Sequence, residues 1–165
     1  MGILRPKVGD IFEVFIGEGK KAHLQYIADD ATQLNSEVIR VFTKQYSLSD
    51  DVNLTDVVAD KVKFYAHTVL YVGAKMGLWK KVGNCQELGH LDVYFSTSED
   101  HGRPEVKYSD KWWVWKVNED MRFVGKLTGE YAKSELGSVI PAPFVVDRIN
   151  TGKYQFVYPA SQRES

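Results

Sequence analysis

Three of the chain's four tryptophans fall within four positions, in the run Lys111-Trp112-Trp113-Val114-Trp115-Lys116-Val117. Aromatic and β-branched residues without Gly or Pro fit a strand. Successive side chains of a strand point to opposite faces, which puts Trp113, Trp115 and Val117 on one side and Trp112, Val114 and Lys116 on the other. Both sides are largely apolar. The fold must therefore sandwich this strand between two layers or leave one aromatic face open as a contact surface. Because Trp112 shares its face with Lys116, the alternation assigns Trp113 and Trp115 to the core and Trp112 to the surface.

The flanking sequence supplies further strands. Residues 10–16 place Phe12, Val14 and Ile16 on one face, Gly17-Glu18-Gly19 supplies a turn, and residues 22–28 alternate again, so the chain opens on a hairpin. A third strand follows at 37–42. The polar stretch 47–60 holds Leu54, Val57 and Val58 at helical spacing and predicts a short helix capped by Asn53 or Ser49. Residues 62–72 form the longest apolar stretch and read as a long central strand, with Gly73 and Gly77 bracketing a loop. A short strand or bulge is expected at 78–83 and another strand at 91–95, before an acidic loop at 96–104. The tryptophan strand then turns at Asn118-Glu119-Asp120 into a partner strand at 121–127. Pro141, Pro143 and Gly152 frame a helix, and Tyr154, Phe156 and Tyr158 alternate as a last strand before a polar tail from about 160. No repeat or linker divides the chain, so residues 1–165 read as a single α+β domain. Its body is mainly antiparallel β, a twisted sheet or partly open barrel with two short helices.

With 21 basic and 22 acidic side chains the net charge is -1, which gives nucleic acid and anionic membranes no electrostatic footing. A nucleic-acid reading would stack bases on the tryptophans beside Lys111 and Lys116, but Glu105, Asp110, Glu119 and Asp120 cancel that charge. The single cysteine excludes an internal disulfide and fits a reducing compartment. The N-terminus lacks a basic-then-apolar signal region, and no apolar run approaches the roughly 20 residues of a membrane span. The expected location is cytoplasmic, with no membrane partner.

Catalytic signatures are missing: no Walker-type loop, H-E-x-x-H, paired C-x-x-C or G-x-S-x-G occurs. The one local cluster with chemical potential is Cys85, Glu87 and His90, where thiol, carboxylate and imidazole lie close in sequence. Two ligands short of a structural zinc site, it calls for no metal, and nothing calls for a cofactor. Its alternative reading is a small-ligand binder or a hydrolase. His67 reads as a hydrogen-bonded sheet residue and His101 as solvated. The acidic pairs Asp29-Asp30, Asp50-Asp51, Glu99-Asp100 and Glu119-Asp120 read as solvated turn tips.

Several segments together resemble the immunity protein 26 family of bacterial polymorphic toxin systems. They are Lys7-Val8-Gly9-Asp10-Ile11-Phe12, Val38-Ile39-Arg40-Val41-Phe42, the apolar stretch 62–72, and Gly77-Leu78-Trp79-Lys80-Lys81-Val82-Gly83. The resemblance covers roughly residues 5 to 95. It implies a small, mainly β, non-enzymatic cytoplasmic protein that binds and neutralises a cognate toxin. It carries over no functional residue. The expected mechanism is a protein–protein interface of about 1,600 Å² with aromatic anchors. Candidate anchors are Trp79, Trp112 and Trp115, with Glu99, Asp100, Glu119 and Asp120 as rim charges.

Overall fold

The computed structural model describes residues 5–161. Residues 1–4, read above for a signal segment, and the end of the polar tail lie outside the described residues. The fold is α+β, with two sheets of mostly antiparallel strands that do not close into a barrel.

The first sheet contains β1 (Asp10–Gly17), β2 (Lys20–Asp30), β3 (Ser36–Phe42), β5 (Val62–His67) and β6 (Trp79–Asn84), in the order β5-β3-β2-β1-β6. A two-residue β4 (Tyr46–Ser47) pairs with β2. The opening hairpin turns at Glu18 and Gly19, both at positive φ, a conformation that glycine adopts without strain. Register places Phe12, Leu24, Val41 and Phe64 side by side across four strands. This row faces α2 (Leu70–Lys75) and α3 (Ala142–Thr151), whose Leu70, Val145 and Ile149 complete the main core.

The opposite face of the first sheet is covered in two places. At one end α1 (Leu54–Ala59) lays Val57 and Val58 on Ile11 and Phe42. Asn53 caps this helix through the Thr55 N–H, as its sequence predicts. At the other end lies the second sheet, β10 (Glu135–Leu136), β7 (Phe95–Ser98), β8 (Trp112–Trp115) and β9 (Arg122–Gly125), with β10 and β7 parallel. Phe95, Trp115 and Val117 pack there on Ile27, Ala28 and Val38.

The expected long strand over 62–72 divides at Thr68. The Thr68 N–H donates to Glu37 O and its hydroxyl to Ile140 O, so the backbone leaves the ladder after His67. Glu37 Oε1 then accepts the Leu70 N–H and starts α2, which makes a third helix. Gly73 lies inside that helix rather than in a loop, and it is glycine for space: a Cβ there would sit 2.0 Å from the Trp79 ring. The strand expected at 91–95 begins only at Phe95. The expected strand through 154–158 does not form: the Tyr154 and Phe156 rings stack, Tyr158 lies tilted against Phe156, and Phe156 packs edge-on to Phe144 of α3.

Candidate functional site

The tryptophan strand is covered on both faces, which corrects the assignment of Trp112 to the surface. Trp112 is 3 % exposed, packed with Val114 and Leu127 under Tyr94 and Tyr131, and its indole N–H donates to Ser109 O. Trp115 is 1 % exposed and its N–H donates to Asp30. Trp113, assigned to the core, is the one of the three that meets solvent. It is half-buried, edge-on to the exposed Phe123, with its N–H on Glu99. The parity of the strand is as expected, but the shape of the covering layers selects which tryptophan meets solvent.

Trp79 is also core. Its indole lies under α2 and donates to Leu70 O at 3.0 Å, pinning the helix to the sheet. None of the three candidate anchors is therefore available for contact. Asp100 is likewise not a rim charge: it is buried, accepts the Ser109 hydroxyl and takes its own N–H to Ser98 Oγ. Glu99, Glu119 and Asp120 are exposed. They occupy opposite ends of β8, so no single acidic rim forms; Glu99 follows the strand paired at Trp112, whereas Glu119 and Asp120 lie in the turn beyond Trp115.

Asp30 departs from its reading as a solvated turn residue. It is fully buried and accepts four donors: His67 Nε2 and Trp115 Nε1, each at 2.9 Å, and the Asn118 and Gln33 amides. Burial alone would raise its pKa, but these donors outweigh it and hold the carboxyl below its ordinary value. Burial pushes the His67 imidazole down, with Asp30 opposing. With Nε2 donating to Asp30, Nδ1 has no hydrogen-bond partner among the described residues, and the ring packs against Phe95 and Trp115. This cluster ties β2, β5 and β8 together. Nothing in the sequence pairs Asp30 with His67, 37 positions apart.

The Cys85, Glu87 and His90 cluster is dispersed. Residues of this segment are drawn onto the first sheet through the backbone: Gln25 donates to Cys85 O, and the buried Arg40 donates to Glu87 O. Cys85 packs toward Ile11 and Val57, whereas His90 is exposed and accepts the Asp92 N–H. No hydrogen bond or ion pair among the described residues joins thiol, carboxylate and imidazole.

One surface stands out by its apolarity. Of the 11 large apolar side chains that remain exposed among the described residues, five gather at α2: Val69, Tyr71, Val72, Met76 and Val139, at 37–54 % exposure. At 100° per residue Tyr71, Val72, Met76 and Val69 span one continuous arc opposite the buried Leu70 and Gly73. Val139 joins them because it pairs with His67, two residues before Val69. Lys75 lies over the Tyr71 ring at 5.9 Å and is the charged group within the arc.

No helix among the described residues is long and apolar enough to cross a membrane, and no cluster of His, Cys, Asp or Glu there has the makings of a metal site. Comparisons with protein-family models, with curated proteins and with solved structures found no match.

Proposed function

We propose that this chain is a non-enzymatic immunity protein of the bacterial cytoplasm, which neutralises a toxin encoded beside it by binding the toxin through the outer face of α2. The observation that carries the reading is the gathering of five exposed apolar side chains on one short helix and its neighbour Val139. Contiguous exposed apolar surface of this kind marks protein contacts. The toxin as partner comes from the resemblance, whose most telling segment, residues 62–83, builds this surface. In this reading Trp79 is not an anchor but the post on which the contact helix rests, and the anchors are Val72, Met76 and Tyr71. Glu37, which caps the helix from β3, fixes its entry angle.

The test is co-purification of the chain with the product of the neighbouring toxin gene. Wild-type protein is expected to bring the toxin down and protect cells that express it. Val72→Glu and Met76→Glu place a charge in the centre of the contact and are expected to weaken binding at least about 30-fold, the scale of an interface hot spot. Their thermal melts should match wild type, because both side chains are already exposed. Association that survives both substitutions, or that never occurs, overturns the reading.

A further inference from the structure

A cavity of about 610 Å³ opens on the far side of the second sheet, between β10, the C-terminal end of α3 and the segment that follows it. Trp112, Leu127, Leu136 and Pro159 form apolar walls, and Ser96, Glu135, Arg148, Lys153 and Tyr154 bring polar groups to it. Its volume lies within the usual range for small-molecule sites.

The polar groups are unequally committed. Glu135 is spent: Oε1 accepts Arg148 Nη2 at 2.9 Å and Oε2 accepts the Tyr65 N–H at 2.8 Å. Arg148 is not spent. Its guanidinium lies over the rings of Phe64 and Tyr154, 4.2 and 4.8 Å from their centroids, so stacking occupies its faces. Besides the N–H on Glu135, one is drawn toward the Tyr154 oxygen, and the remaining in-plane N–H groups are left for a planar acceptor. Tyr154 is buried, and its hydroxyl has no hydrogen-bond partner of ordinary geometry among the described residues. Its charged neighbour Arg148 is itself a donor, so the phenolic proton has no acceptor there. Burial pushes the Tyr154 pKa up to about 12, which keeps that proton in place at neutral pH. Ser96 Oγ accepts from Ser134 and retains its own proton, and Lys153 has no ion-pair partner among the described residues. Among the described residues of the lining donors are in surplus, and the one carboxylate is consumed.

We infer that this cavity binds a small carboxylate with an apolar body, its carboxyl held by Arg148 and Tyr154 and its body against Trp112, Leu127 and Leu136. A stacked arginine offering its edge is suited to bidentate carboxylate recognition. The acceptor that the Tyr154 proton lacks is then supplied by the ligand. The site goes beyond the toxin-binding reading and uses different elements, so either one can fail alone.

Phenylacetate is the probe, with its neutral isostere phenylacetamide as control. The full chain is titrated with each and followed by amide and indole N–H NMR shifts. Saturable shifts with phenylacetate at Trp112, Ser134 and Arg148 are expected, with affinity at least about tenfold above that for phenylacetamide, as charge-assisted bonds require. Tyr154→Phe keeps the ring and its packing and should weaken phenylacetate about tenfold, and phenylacetamide, whose neutral carbonyl is the weaker acceptor, by less. Arg148→Met should abolish the preference for the acid. No saturation at millimolar phenylacetate overturns the inference, as do shifts confined to other residues, equal binding of acid and amide, or Tyr154→Phe binding like wild type.

Discussion

At the scale of single residues the fold turns on two glycines that serve as seats for tryptophans. A Cβ at Gly73 would lie 2.0 Å from Trp79, and one at Gly137 would lie 2.0 Å from Trp115. Neither glycine needs a positive φ, so the requirement is space alone. Gly73 makes a clean test because two effects oppose each other there. It lies within a helix, where alanine is worth about 1 kcal/mol more than glycine. The added methyl, however, must displace a fully buried indole, and overpacking a close-packed core costs typically 1–3 kcal/mol. We expect Gly73→Ala to destabilise the protein by up to about 2 kcal/mol in urea titration, against its helix propensity. A higher unfolding midpoint would mean that α2 does not rest on Trp79. In sequence Gly73 reads as a loop residue, because the tryptophan six positions on gives no sign that it folds back beneath it.

Elements show where the sequence speaks clearly and where tertiary structure overrules it. The opening hairpin, the strand at 36–42, the Asn53-capped helix, the tryptophan hairpin and the helix from Ala142 to Gly152 follow from alternation, helical spacing and end signals within each segment. The break between β5 and α2 does not. Val69-Leu70-Tyr71-Val72 carries the β-branched and aromatic content of a strand, yet the N–H groups of Thr68 and Leu70 are taken by Glu37 from a strand about 30 residues earlier. The candidate site inherits this difficulty: the faces of the tryptophan strand can be phased from sequence but those of α2 cannot, since it reads as strand and loop, and which faces are covered depends on layers assembled from distant segments. Glu37 tests the override directly. Removing a helix-capping acceptor costs about 1 kcal/mol. Glu37→Ala is therefore expected to speed hydrogen exchange at the Leu70 amide about fivefold, whereas Glu37→Gln, which keeps the acceptor oxygen, should exchange like wild type. Equal exchange in both variants would assign the break to Thr68 alone.

Across the whole molecule, buried His67, His23 and Asp30 resist protonation and make stability fall toward acid pH, opposed by Glu37, whose pKa burial raises. His67 stands between the two sheets, and burial lowers its pKa against the pull of Asp30. His23 is buried on β2, edge-on to Tyr46, and both ring nitrogens lack partners among the described residues. Burial lowers its pKa too, with Glu13 raising it and Lys21 lowering it. Below the ordinary histidine value of 6.5 the unfolded chain binds protons that the folded chain refuses, so stability is full above that pH and falls as pH drops through it. Asp30, held down by its four donors, adds a second loss that begins only below the ordinary aspartate value of 3.8. The thermal midpoint should therefore be level near neutrality, decline from about pH 6.5, and decline again below pH 4. His23→Phe separates the contributions, because it fills a similar volume and removes two orphaned nitrogens without touching the Asp30 cluster. We expect it to raise stability at pH 7 by about 1 kcal/mol, the scale of an unsatisfied buried polar group. The gain should widen as pH falls to 5, where the folded protein no longer has a neutral imidazole at position 23 to keep from protonating. His67 would still account for the remaining decline in this range, so the variant's profile should be shallower than that of wild type, not flat. A His23→Phe profile that runs parallel to wild type from pH 7 to 5 would place the whole of the upper loss at His67, in the joint between the sheets.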